Sequence, residues 1–377
     1  MIEPLPVLAD LPPDRMTPAE RMQALLTPGE RPDRVPFIPF ATDFSGRNCG
    51  VPAGSIRRDA RAGFLAQVRT QEQFGWDGGP SFAMGVFGAW EFGGEPRFPA
   101  GESVQAPSVA RFPVADENDV DRLRLPEDVL AAGCVPAMLE FSRLQDRSGR
   151  SLTVQLGSVF TAAANLVELG TFLRWMMRRP DLAHHLLRLT ADLFVRLAER
   201  WAALFPGRTI TAFDGGPTEA NALISPAHFR EFALPYAQEV HEKALAAGIT
   251  RFHTHACGEQ NGNLAAYREL DFGRPGGPPG MISFGHEVRL TDAIEAVGDR
   301  VIVAGNVEPT LLQVAPAETV WEATRAAVLA GRDAPQGYVL MTGCSVPIGA
   351  VPNNLFTMLK AAKEFGQYAP PRAFRPR

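Results

Sequence analysis

The second half of the chain alternates short apolar runs with helical segments, and this rhythm constrains the fold more than any other feature. Strand-like runs fall at 152–157, 209–213, 251–255, 281–285, 301–305 and 338–342. Helical patterns separate and follow them at 166–177, 181–205, 226–247, 264–270, 290–297, 317–329 and 353–365. Short strands joined through helices indicate a parallel sheet, because a parallel neighbour is reached only by a crossover. Two earlier runs, 35–40 and 81–86, bring the strands to eight. Eight such units close into a (β/α)8 TIM barrel of the α/β class. A doubly wound open sheet is the runner-up. Against it, no strand leads into a G-x-G-x-x-G turn, and there is no P-loop.

The 377 residues suit one barrel domain spanning 1–377, with a helical N-terminal extension over 1–34 and a loose tail over 370–377. In the extension, Thr17 is an N-cap, Pro18 suits the first helical position and Glu20 completes a capping box. Segments 59–74 and 126–147 are also helical. The Gly- and aromatic-rich stretch 78–99 reads as a strand followed by loops, and 101–121 as a hairpin.

Several function classes drop out. The net charge is -5 and Lys and Arg are scattered, so nucleic acid is not an expected partner. No uncharged apolar run reaches the roughly 18 residues of a membrane helix. The N-terminus carries acids and prolines instead of a secretory signal, so a cytoplasmic protein with reduced thiols is expected. Of the four cysteines, Cys49 and Cys134 read as packing residues.

Barrels keep their chemistry just past the C-terminal ends of the strands. That rule selects Asp214 after the fourth strand, His255 and Cys257 after the fifth, and His286 and Glu287 after the sixth. It selects Asn306 after the seventh and Cys344 after the eighth. His255 and Cys257 stand two residues apart, so both can face the barrel axis, and Cys344 can join them. One imidazole and two thiolates suit Zn²⁺ and leave a fourth position open, as catalytic sites do. The plainer alternative is two buried cysteines beside a core histidine. His253 shares the parity of His255, so spacing does not choose between the two histidines.

At these residues the chain resembles the uroporphyrinogen decarboxylase and cobalamin-dependent methyltransferase superfamily, from Thr17 to about Tyr368. The resemblance is carried by Thr17-Pro18-Ala19-Glu20-Arg21, Pro32-Asp33-Arg34-Val35-Pro36 and Trp90-Glu91-Phe92-Gly93-Gly94. It continues in Ile224-Ser225-Pro226, Phe232-Ala233-Leu234-Pro235-Tyr236, Gly305-Asn306-Val307-Glu308-Pro309, and Gly343-Cys344 followed by Pro347, Pro352, Asn353 and Asn354. The methyltransferase branch binds zinc through a His-x-Cys and a later Cys, a pattern that His255, Cys257 and Cys344 match. The decarboxylase branch grips substrate carboxylates with an Arg-rich R-Q-A-G-R segment. Here that region reads Asp43-Phe44-Ser45-Gly46-Arg47-Asn48-Cys49, with one Arg. A porphyrinogen needs several cations, so the resemblance implies the methyltransferase branch.

The resemblance therefore implies a zinc enzyme that moves a methyl group between a corrinoid and a small-molecule acceptor or donor. The chain has no D-x-H-x-x-G motif, so the methylcorrinoid is expected from a partner corrinoid protein. Asp214 or Glu287 is the catalytic candidate to fill the vacant metal position. Asn306 is expected to brace its turn, and the 273–280 loop and 90–98 stretch to border docking surfaces. The alternative activity is decarboxylation around Asp214. A zinc-stabilised binding module and a lone Cys344 nucleophile are the other readings.

Overall fold

The computed structural model describes residues 5–100 and 106–368. The expected tail and part of the expected hairpin lie outside them. Two short exposed strands, β1 (Glu95–Arg97) and β2 (Ser108–Arg111), pair antiparallel, and Glu117–Val120 is helical, so the described part of 101–121 does not form the expected hairpin within itself. Six strands then build a parallel sheet: β3 (Leu152–Gln155), β4 (Ile210–Gly216), β5 (Arg251–Ala256), β6 (Met281–Phe284), β7 (Ile302–Val307) and β8 (Tyr338–Thr342). Each pairs with its chain neighbour, in the order β3-β4-β5-β6-β7-β8. The architecture is the α/β barrel that the alternation predicts.

The two remaining staves are irregular. Segment 35–40 runs beside β8, where the Ile38 amide donates to the Leu340 carbonyl at 3.0 Å and the Leu340 amide to that of Pro36 at 2.9 Å. Pro36 and Pro39 have no N–H to extend the ladder, so the segment never becomes a regular strand. The expected strand at 81–86 is not one. Gly78, Gly79 and Pro80 interrupt the approach, and a side chain supplies the pairing. Gln155 Oε1 accepts from the Met84 amide at 2.6 Å, and its Nε2 donates to the Met84 carbonyl at 3.1 Å.

The barrel interior is a small apolar cluster separate from the main core. Ile302, Ala304, Val339, Met341 and Leu25 form it, with Met22, Ile38, Phe40 and Met281 packed against them. The N-terminal helix, Pro18–Leu26, plugs one end. Its capping box forms as the sequence predicts: Thr17 Oγ1 accepts from the Glu20 amide and the Glu20 carboxylate accepts from the Thr17 amide. Leu25 lies beside Gly337, just before β8, so the plug closes the N-terminal end and leaves the C-terminal end for chemistry. Buried ion pairs fix it there. Fully buried Arg21 reaches Asp33 and Asp77, each at 2.6 Å, and Arg34 reaches Asp77 at 2.9 Å.

Helix boundaries depart from expectation where the backbone is unusual. The 126–147 segment becomes helical only at Val135–Arg147, and Ser158 caps an additional helix, Val159–Ala164. Segment 226–247 widens into a π turn over Phe229–Ala233, because Pro235 has no amide to continue the ladder. The 273–280 loop leads into β6, so it lies at the N-terminal end of the barrel and borders no docking surface at the open end.

Candidate metal centre

Alternation along β5 decides what its side chains meet. Phe252, Thr254 and Ala256 face the helices. Arg251, His253 and His255 face the interior, where Phe40 stacks on His253 at 5.6 Å and packs edge-on to His255 at 5.0 Å. Cys257 continues that parity past the strand end, and Cys344 follows β8. The ligand atoms of His255, Cys257 and Cys344 all lie within 4.8 Å of one another. The expected triad is therefore brought together, from residues 87 apart in sequence at the two cysteines.

The donors fit a metal. The two sulfurs are 3.8 Å apart, as free thiols rather than a disulfide. Two thiolates each bonded at about 2.3 Å to one tetrahedral zinc lie about 3.8 Å apart. His255 Nδ1 is within 3.0 Å of Ser283 Oγ. Its Nε2 is buried with no hydrogen-bond partner, a costly arrangement unless something binds there. The two thiols are coupled. The contact with Cys257, helped by His255, draws Cys344 well below the usual thiol range despite its burial. The same contact pushes Cys257 up. Burial, with help from His255 and Arg251, brings His253 down to about 3.

Close packing of loops assembles the rim. A Cβ on Gly343 would stand 2.6 Å from the His286 backbone nitrogen, and one on Gly285 would stand 2.8 Å from the Gly258 backbone. Only glycine lets the loops after β5, β6 and β8 meet so closely. The Glu287 carboxylate folds over Gly285, beside the loop of Cys257, and lies 3.4 Å from His286 Nδ1. Glu287 is thus near the triad, with its side chain 39% exposed to the open end. Asn306 Nδ2 donates to the carbonyls of Gly285 at 3.0 Å and Val288 at 2.6 Å, bracing the loop that carries Glu287.

Asp214 is not brought to the triad. β4 runs on to Gly216, and Asp214 shares the parity of Ile210 and Ala212, which face the helices. Its carboxylate meets His241 Nε2 at 2.8 Å and accepts from Thr254 Oγ1 at 2.6 Å. The other nitrogen of His241 faces the Asp271 carbonyl at 2.8 Å. Asp214 therefore sits behind the sheet in a polar cluster that sequence reasoning missed. Buried Glu219 belongs to this cluster. Burial pushes it up to about 8, although Ser158 donates to it at 2.5 Å. Ser283 was also missed. Its only signal was a hydroxyl within the otherwise apolar strand Met281–Phe284.

Asp43 and Arg57 are both buried, with the guanidinium held to the carboxylate at 2.5 and 2.8 Å. Asp43 lies on the helix Thr42–Asn48, the segment that resembles the carboxylate-gripping region; its one arginine, Arg47, is exposed.

Comparison with known proteins agrees with this architecture. The family model described as uroporphyrinogen decarboxylase (URO-D) matches residues 17–365. The methylcobamide:CoM methyltransferase MtaA of Methanosarcina barkeri is 23% identical over 272 residues, covering 70% of this chain and 74% of that protein. A uroporphyrinogen decarboxylase of Nocardioides sp. is 31% identical over 244 residues, covering 63% and 65%. The structure of a methyltransferase from Methanosarcina mazei superposes with a TM-score of 0.77 at 20% identity, covering 93% of this chain and 99% of that one. Among the described residues, no helix is long and apolar enough to cross a membrane.

Proposed function

The chain belongs to the uroporphyrinogen decarboxylase (URO-D) family, and within it we propose a zinc-dependent methyltransferase that moves a methyl group between a corrinoid and a small thiol. The observation that carries this reading is the triad of His255, Cys257 and Cys344 at the open end of the barrel, with His255 Nε2 buried and unpaired. Similarity to a protein named methylcobamide:CoM methyltransferase supports the corrinoid as the methyl carrier; with no D-x-H-x-x-G motif in this sequence, we assign the corrinoid to a partner protein.

His255, Cys257 and Cys344 would hold the zinc, whose positive charge, once bound, would favour the ionised form of a substrate thiol, the nucleophile that methyl transfer needs. Phe40 and Phe213 line the interior beneath the triad, Phe40 packing on His253 and His255 and Phe213 on His253, so the site has an apolar floor. Glu287, beside the loop of Cys257, is our candidate to accept the proton that an arriving thiol gives up. For Asp214 we propose a bracing role: it ties Thr254 of β5 to His241 behind the sheet, holding the strand that carries His255.

Decarboxylation of a porphyrinogen fits less well. The region expected to grip several substrate carboxylates carries a buried carboxylate, Asp43, whose partner is Arg57. The test measures zinc in the purified protein, then thiol-dependent loss of methylcobalamin absorbance beside carbon dioxide release from uroporphyrinogen. About one zinc per chain with thiol-dependent demethylation supports the reading. No zinc after reconstitution, with carbon dioxide release, refutes it.

A further inference from the structure

His253 and His255 share a face of β5, and the sequence does not say which of them ligates a metal. Ser283 stands against both. It is fully buried on β6, in register with His255. Its Oγ lies 3.0 Å from His255 Nδ1, 3.1 Å from His253 Nε2 and 3.4 Å from the Thr254 carbonyl oxygen. A hydroxyl has one hydrogen to donate and two lone pairs to accept with. The carbonyl can only accept. When the hydroxyl donates to it, each imidazole must bring an N–H to Oγ, from Nδ1 in His255 and from Nε2 in His253.

His255 then carries its proton on Nδ1 and keeps a lone pair on Nε2, the buried nitrogen without a partner. The opposite tautomer would put the proton on Nε2 and leave no lone pair facing the two sulfurs for a metal. It would also take the hydroxyl hydrogen away from Thr254. In either arrangement Nε2 of His253 is engaged by Ser283, and stacking on Phe40 holds that ring in place.

We propose, on the premise of the zinc centre, that Ser283 is its positioning residue: it sets the tautomer of His255 so that Nε2 is the metal ligand, while His253, two residues deeper in the barrel and outside the triad, has its Nε2 on the same hydroxyl. Metal-ligating histidines commonly depend on such a partner at the other ring nitrogen, and losing it weakens metal binding about 10- to 100-fold.

The experiment uses the full chain. Zinc affinity is measured by competition with a chromophoric chelator for the parent, Ser283→Ala, His253→Gln and His255→Gln. Ring-nitrogen NMR on the metal-free parent reads the tautomers directly, whether or not Ser283→Ala folds. Expected are an Nδ1–H tautomer at His255, a 10- to 100-fold loss in Ser283→Ala with its cooperative melt kept, near-parental affinity in His253→Gln, and loss of binding in His255→Gln. An Nε2–H tautomer at His255 overturns the proposal. So does parental affinity in Ser283→Ala, or loss in His253→Gln as complete as in His255→Gln. A parent that binds no zinc at all sinks the zinc reading itself, so the two failures are distinguishable.

Discussion

Replacing Cys344 by Ser should weaken zinc binding about 100- to 1,000-fold and leave the barrel folded. The magnitude follows from the geometry. The Cys344 sulfur contacts the Cys257 sulfur at 3.8 Å, and the loop that carries it is held by backbone contacts. The Gly343 amide donates to the Val307 carbonyl at 2.8 Å, and the Thr342 hydroxyl to the Cys344 carbonyl at 2.6 Å. Exchanging one partly exposed sulfur for oxygen disturbs neither bond, so the cost to folding should stay within about 1 kcal/mol. The metal loses far more, because a serine hydroxyl stays protonated at neutral pH. Structural zinc sites bind with about 10–16 kcal/mol, or about 2.5–4 kcal/mol for each of four ligands. At about 1.4 kcal/mol per tenfold change, losing one ligand costs two to three orders of magnitude. Chelator competition measures the affinity, and thermal melting followed by circular dichroism checks the fold. An affinity within about threefold of the parent, under 1 kcal/mol, would show that Cys344 is not a ligand. A drop accompanied by loss of the cooperative melt would show that the metal holds the fold together instead of serving an open site.

Other consequences can be checked alongside. Glu287→Gln should retain zinc and lower the methyl-transfer rate about 10-fold or more, read by methylcobalamin absorbance; loss of zinc with unchanged turnover of reloaded enzyme would contradict its assigned role. Arg21→Met removes the guanidinium that buried Asp33 and Asp77 share, leaving Asp77 to Arg34 and Asp33 without a side-chain cation, and should cost about 3–5 kcal/mol in urea unfolding. Burial alone would raise Asp33, but Arg21 and the amides of Met16 and Arg15 bring it down to about 2, below its unfolded value near 3.9. Its ionised form therefore adds stability that is present above about pH 4 and lost as pH falls through about 2. Asp33→Asn should flatten that part of the acid-unfolding curve, and an unchanged slope would dismiss the Arg21–Asp33 pair as its source. Removing zinc with a chelator should abolish thiol-dependent methyl transfer and leave the far-ultraviolet circular dichroism spectrum intact, since the ligands sit at or just past the ends of strands already held by backbone pairing.

Much of this molecule is readable from the chain alone. The strand–helix rhythm from 152 onward determines a parallel sheet, because each short apolar run must be buried on both sides and reached by a crossover. Thr17, Pro18 and Glu20 determine where the first helix starts, since capping is local chemistry. The two-residue spacing of His255 and Cys257 determines that they share a face. Tertiary structure decided the rest. It decided that β4 reaches Gly216, which turns Asp214 outward to His241. Pro36 and Pro39 made the first stave irregular, and the side chain of Gln155 stood in for a ladder in the second. Ser283, 28 residues beyond His255 in the chain but beside it in the sheet, engages both histidines. Local pattern carries the period of a strand and the cap of a helix, because both arise within a few residues. Which face turns inward, and which nitrogen is left unpaired, depends on partners that only the closed barrel brings within hydrogen-bonding distance.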